Sequence, residues 1–372
     1  MSLIKRLERS GKRLLISAVC TTVRTPKIPV EEIRAMAPRS VLVVRQHHQM
    51  GDMLLATPAF RAIKKSCENP EVGVVCRKIN RAVLLNHPHV DQVFEYNNRN
   101  PLSWLRLLLN IRRRRYDMVI VLHTMSFSFT SAVLGLLSGA KVRVGSTSEP
   151  FGSRLSEAFY HCELPLPAPA ELEHMNESEH NLYPLRAIGI DTPNLEPLLV
   201  PDGQSEHWAD EFLEEHPGAG ETVVVHPGAG KVENIWSPES FADVLNQLGE
   251  RRKIRLFAVE GPGDAETVTA FRAKSRIPSA VVRSRRIGDI AALFKRADLV
   301  LCNDTGIMHV AAAAGATVLA VFGPTDPVRW APLSPTLHVV RAADGNLQQL
   351  TAATVCEKAV AVLDGARGER VP

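Results

Sequence analysis

No apolar run in the chain approaches the roughly 20 residues that a membrane span needs. The longest near the start, LLISAVC (14–20), is about a third of that length. Basic residues precede it but no clear small-residue cleavage site follows, so a secretory signal is not expected. Cysteine is sparse and unpatterned, with six residues (20, 67, 76, 162, 302 and 356) and no CxxC. This argues against a disulfide framework and reads as reduced thiols in a cytosolic protein. No strand-like run is followed by GxGxxG, which disfavours a dehydrogenase. His47 and His48 are adjacent on one loop and so rarely converge on a single ion, and no Cys/His/Glu cluster completes a four-ligand site. No metal is expected.

What is present belongs to a globular protein: 372 residues, 45% of them apolar and 23% charged, a length for which two domains are the default. The net charge of +4 is unevenly spread. Residues 1–200 hold 26 Lys/Arg against 18 Asp/Glu, and residues 201–372 hold 18 against 22. The first 40 residues carry nine basic and three acidic side chains, and over 3–16 Leu and Ile interleave with Lys and Arg. That pattern fits an amphipathic helix lying on a surface as well as it fits a disordered tail. A second basic cluster, RRRR, occupies 112–115.

Strand-like runs alternate with helix-period stretches almost from end to end. In the first half the spacing predicts strands at 41–45, 72–76, 91–96, 117–122 and 141–145, and helices near 57–66, 79–86, 101–114 and 127–138. A Pro-rich stretch interrupts the rhythm and predicts a loop over 146–176, followed by a helix near 177–189. Strands are then predicted at 222–226, 254–259, 298–302 and 317–322, with helices near 238–249, 264–274, 287–296 and 305–315. Near-continuous apolar strands separated by helices imply parallel sheets covered on both faces. Two such series, split near 195–205, predict two doubly wound domains facing a cleft, with sites at the carboxyl ends of strands.

Three segments fall at such ends. RQHHQMGDMLLATPAFRAIK (45–64) places Gly51 and Asp52 at the first strand-to-helix turn, where Asp52 is either a helix cap or a general base. HPGAGKVENIWSPESF (226–241) is neither a Walker sequence nor GxGxxG. Its small residues at 228–230 let backbone N–H groups approach an anion, and Lys231 supplies a mobile charge. An ordinary βα turn is the alternative, with Ser237 capping the next helix. In CNDTGIMHVAAAAGA (302–316), Thr305 is placed to cap a helix whose first turn Gly306 keeps open, with His309 on the same face. That terminus suits a diphosphate. Asp304 would repel phosphate and is expected to cap the helix or to receive a sugar hydroxyl.

GDMLLATPAFRAIK, HPGAGKVENIWSPESFADV and NDTGIMHVAAAAGATVLAVFGPTDP, in that order, resemble the ADP-heptose:lipopolysaccharide heptosyltransferases of glycosyltransferase family 9. The likeness spans roughly residues 40 to 365. It implies a GT-B fold, no cofactor, and inverting transfer of a heptose from an ADP-sugar donor to a lipid A–core acceptor. Residues 1–40 would be a basic extension, 41–200 an acceptor-side domain and 201–372 a nucleotide-sugar domain. Asp52 would be the general base, with Gly51, His47 and His48 on the acceptor side. Gly228, Lys231, Asp304, Thr305, Gly306 and His309 would hold the donor, and Glu266, favoured over Asp264, would lie near the ribose. The chain departs from the family in having Asn234-Ile235 where a basic residue often precedes the tryptophan. Alternatives are transfer of another nucleotide sugar, a nucleotide-sugar epimerase of the same fold, and a non-catalytic saccharide-binding relative. No nucleic-acid partner is expected. The basic extension is expected to dock on the inner face of an anionic membrane.

Overall fold

The computed structural model describes residues 23, 25–46, 49–97, 100–283 and 285–369. Two six-stranded parallel sheets form its frame. The first contains β1 (Ser40–Val44), β2 (Glu71–Arg77), β3 (Gln92–Tyr96), β4 (Met118–Val121), β5 (Val142–Ser146) and β6 (Cys162–Leu164), in the order β3-β2-β1-β4-β5-β6. The second contains β7 (Glu221–His226), β8 (Ile254–Glu260), β9 (Ser279–Arg283), β10 (Leu299–Asn303), β11 (Val318–Phe322) and β12 (Leu337–Arg341), in the order β12-β11-β10-β7-β8-β9. Read from its β9 end, the second order repeats the first with every strand number raised by six. Each sheet reverses direction beside its first strand, between β1 and β4 and between β7 and β10, and the crevice at such a reversal is where open α/β sheets bind ligands.

The central strands are apolar because both faces are covered. β4, β7, β10 and β11 are buried throughout, and β1 is buried from Val41 to Val44. Strands that sequence periodicity does not reveal lie at edges. β6, β9 and β12 each stand at the end of a sheet; β6 is only three residues long, β9 and β12 are mostly half-buried, and they carry polar residues such as Glu163, Ser279 and His338. β6 falls inside the segment 146–176 for which only a loop is predicted. The helix expected over 79–86 is confined to Lys78–Arg81. A long helix not anticipated from the sequence, Ala352–Glu369, packs on helix Pro238–Arg251.

Of the basic extension, residues 1–22 lie outside the described residues. Its latter part is fixed to the β6 side of the first sheet: Ile28 N–H bonds the His161 carbonyl at 2.9 Å and Thr25 Oγ1 bonds the Ala158 carbonyl at 2.6 Å. The five described cysteines are buried and unpaired. Among the described residues no helix is long and apolar enough to cross a membrane.

The two halves meet through directed contacts. Leu199 N–H bonds the Ala313 carbonyl at 2.8 Å, and Asn176 Nδ2 bonds the carbonyls of Val328 and Ala331 at 3.0 and 2.9 Å. Arg329 reaches the buried carboxylate of Glu177 at 3.4 Å.

One buried imidazole ties stability to pH. His87 lies in the loop before β3, and its Nε2 has no partner. Burial, with His89 and Arg61 nearby, pulls its pKa from 6.5 down to about 3. Between those values the unfolded chain binds more protons than the folded one. The stability held by neutral His87 is therefore complete above about pH 6.5 and is lost as pH falls towards about 3. Urea midpoints should drop between about pH 7 and pH 5, and His87→Gln should remove part of that slope. An unchanged slope in the variant would clear His87 of this role.

Candidate active site

β1 delivers the first side of the site. Arg45, directly after the strand, is fully buried and donates from Nη2 to the Asp52 carbonyl at 3.2 Å and from Nη1 to the Leu122 carbonyl at 3.3 Å. Burial lowers its pKa from 12.5 to about 10, against the pull of Glu177 and Asp52, so the guanidinium stays charged at neutral pH. It pins the short helix Met50–Leu54, whose first turn carries buried Gly51 and half-buried Asp52. Thr57 then joins this helix to the next, Thr57–Ser66. Its hydroxyl donates to the Leu54 carbonyl at 2.7 Å and accepts from Leu198 N–H at 3.0 Å. Asp52 is thus set in a turn held from both ends.

β7 and β10 deliver the opposite side. β7 ends at His226, and the following turn is anchored by Asn303, the last residue of β10, whose Nδ2 donates to the Pro227 carbonyl at 2.8 Å. Lys231 stands exposed beyond the turn, and Ser237 caps helix Pro238–Arg251 through Ser240 N–H at 3.1 Å, with Pro238 in the first turn. After β10 comes Asp304, then helix Gly306–Ala313. Thr305 occupies the cap position, but its side chain makes no capping bond, contrary to expectation. Asp304 does not cap either. It is buried and accepts from Asn234 Nδ2 at 2.9 Å, and Thr325 Oγ1 donates to Asn234 Oδ1 at 3.2 Å. Burial raises its carboxyl pKa, while Thr325 and Lys231 oppose the rise. Asn234 is therefore committed to Asp304.

Two adjoining cavities lie between these sides. The smaller, about 380 Å³, is lined by Gly51 and Asp52 from the first half and by Lys231, Asp304, Thr305, Gly306 and His309 from the second. The larger, about 540 Å³, shares Met50, Gly230, Thr305 and Gly306 with it and runs along Glu260–Ala265 to Arg285, Ile287 and Ile290. His226 borders it, its Nδ1 donating to the Val259 carbonyl at 3.1 Å. The Arg285 guanidinium sits 4.6 Å over the Trp208 ring. A charged, hydrogen-bonding chamber thus opens into a longer slot with an apolar end.

His309 is the joint between the halves. Its ring lies against Gly51 so closely that a Cβ there would come within 2.7 Å of Cδ2 and 3.0 Å of Nε2. Nδ1 has no partner, and burial lowers the pKa from 6.5 to about 4 despite the Asp52 charge, so the ring is neutral near pH 7.

Seven of the expected residues come together in the smaller cavity. Gly228 lies beneath the site, where its missing side chain admits the Asp264 carboxylate: a Cβ would meet Oδ1 at 2.4 Å. Asp264 itself lines the larger cavity and accepts from Gly261 N–H at 3.1 Å. Glu266 is exposed on the first turn of helix Ala265–Lys274 and lines neither cavity. His47 and His48 lie outside the described residues. Sequence reasoning missed Arg45, Asn234 as a partner of Asp304, Thr325, Glu177 and Arg329. Only Arg45, a cation ending an apolar strand, left a visible signal. Among the described residues no group of three or more His, Cys, Asp or Glu is placed to hold a metal.

A family model described as glycosyltransferase family 9 (heptosyltransferase) matches residues 104–360. Lipopolysaccharide heptosyltransferase 3 of Escherichia coli is 24% identical over 306 residues, covering 79% of this chain and 86% of its own. A family 9 glycosyltransferase structure from Veillonella parvula aligns with a TM-score of 0.77 at 20% identity, over 88% of this chain and 97% of its own. The E. coli heptosyltransferase WaaC with ADP aligns with a TM-score of 0.66 at 21% identity, over 88% and 99%. The family match begins beyond Asp52, so the role of that residue rests on geometry.

The tight fit of His309 on Gly51 predicts the effect of one methyl group. Gly51→Ala should cost about 1–3 kcal/mol, the usual range for overpacking, because His309 is itself enclosed. Thermal unfolding would read the loss, and His309→Ala in the same chain should relieve most of it. A wild-type midpoint for the single variant would show that the contact is loose.

Proposed function

The chain belongs to glycosyltransferase family 9 and has the GT-B fold, and from that premise we propose that it moves a heptose from ADP-heptose to a lipopolysaccharide core acceptor with inversion at the anomeric carbon. One observation carries the reading: a single cavity holds a carboxylate from the first half and a lysine, a helix N-terminus and a buried Asp from the second. An inverting displacement requires that division. A base stands on the acceptor side, and a stabiliser for the departing diphosphate stands on the other.

In the proposed reaction the acceptor hydroxyl enters beside Asp52, which takes its proton as the oxygen bonds to C1 of the sugar. The bond from C1 to the diphosphate breaks with its electron pair, and ADP leaves. Lys231 meets the developing charge, as do the N–H groups of the first turn after Thr305, whose side chain leaves them uncapped. Asp304 receives a sugar hydroxyl. The larger slot takes the adenosine, with Asp264 in place of Glu266 near the ribose. The reading needs neither cofactor nor metal. The names of the relatives support a heptose and a lipopolysaccharide acceptor, and the structurally similar WaaC is seen with ADP.

Two substitutions should separate the roles. Asp52→Asn should lower kcat by about 10²–10⁴-fold, as loss of a general base does, while leaving ADP affinity by calorimetry unchanged. Lys231→Ala should weaken ADP binding by about tenfold or more, the loss of one charge-assisted hydrogen bond. Near wild-type kcat in the Asp52 variant with saturating acceptor would end the base assignment. Unchanged ADP affinity in the Lys231 variant would move the diphosphate contact to another cation.

A further inference from the structure

Helix Pro101–Arg114 buries Leu107, Leu108 and Ile111 in the core of the first half. Its opposite side carries three uncovered leucines: Leu102 is 65% exposed, Leu105 53% and Leu109 47%. Spacings of three and four put them on one stripe. By the same helical geometry Arg106 and Arg113 run along one flank of the stripe and Arg112 along the other. Residues 101–115 hold five arginines and no acidic residue. Arg114 at the end of this run pairs with the Glu71 carboxylate at 2.6 Å.

Position adds to composition. The helix follows β3 in a parallel sheet, so Leu102 and Leu105 stand near the carboxyl edge that also carries Gly51 and Asp52. Helix Lys78–Arg81 also packs against β3 and brings exposed Lys78, Arg81 and Ile79 to the same edge. An apolar stripe flanked by cations and free of acid is matched by one kind of surface. Leucines enter the boundary between headgroups and acyl chains while arginines meet lipid phosphates.

We propose that this face docks on an anionic lipid bilayer and brings the acceptor side of the cleft to the membrane surface. The purpose of docking rests on the reading of the acceptor as lipid-linked. Vesicle binding is measured without any substrate, so failure of one claim is distinguishable from failure of the other.

The test floats the full chain with phosphatidylethanolamine/phosphatidylglycerol vesicles and with phosphatidylcholine vesicles. The wild type should bind the former in a salt-sensitive way and the latter weakly. Leu102→Ser, Leu105→Ser and Leu109→Ser together should weaken binding on the order of tenfold. Arg106→Gln with Arg113→Gln should do the same and reduce the salt dependence, since each cation at such a surface contributes about fivefold. The indole introduced by Leu105→Trp should shift its emission to the blue on adding the anionic vesicles. All these variants should keep wild-type unfolding midpoints and wild-type transfer to a soluble, delipidated acceptor. Unchanged vesicle affinity in the leucine variant, an unshifted emission in the Leu105→Trp variant or no binding by the wild type would each overturn the proposal. A wild-type dimer that the leucine variant abolishes would overturn it too, by giving the stripe to a second copy of the chain.

Discussion

The contact of the His309 ring with Gly51 is the constraint on which the site depends. One buried apolar cluster runs from Val43 and Val74 in the first sheet to Val300 and Val318 in the second, so the two halves share part of their core. What turns two folded halves into one site is the approach of helix Met50–Leu54 to helix Gly306–Ala313, and only a residue without a side chain permits it. The contact also sets a charge state. An imidazolium in that enclosure would lack both water and a partner for Nδ1, so the ring is neutral near pH 7. Asp52 beside it therefore faces a polar but uncharged neighbour.

Charges around the cavity are layered by burial. Arg45 lies deepest and holds the Asp52 turn by its backbone carbonyl. Arg329 and Glu177 add a second link between the halves, the carboxylate buried and also within 3.1 Å of His180. Removing one partner of such a pair leaves an uncompensated buried charge, which is why the link resists loosening. Lys231 is the exposed member, standing at the lining of the smaller cavity.

The parts of this arrangement that sequence made legible are those written in contiguous residues. β1, β4, β7, β10 and β11 are recognisable because burial on both faces demands unbroken apolar runs, and the three motifs stand out because each sits where such a run stops. β6, β9 and β12 are edge strands, and their half-polar composition hides them. Long-range pairing hides more. Asn234 meets Asp304 across 70 residues and Arg329 meets Glu177 across 152, distances over which no periodicity speaks. Two residues separate Asp264, which lines the larger cavity, from Glu266, which lines neither. The helix begins at Ala265, so Asp264 is left at the mouth of the cleft while Glu266 is carried to its outer face. The cap expected of Thr305 failed because an N-cap position does not oblige the hydroxyl to bond its own helix.

Helix Pro101–Arg114 completes the picture on the outside, with its leucines and arginines near the edge where the cleft opens. The proposed mechanism holds base and leaving group on opposite sides of one cavity. The anomeric configuration of the product tests that claim most directly. With ADP-heptose and a core acceptor, proton NMR of the newly formed linkage should show the configuration opposite to the donor's. Retention of the donor configuration would contradict a single displacement across this cavity, and with it the role given to Asp52.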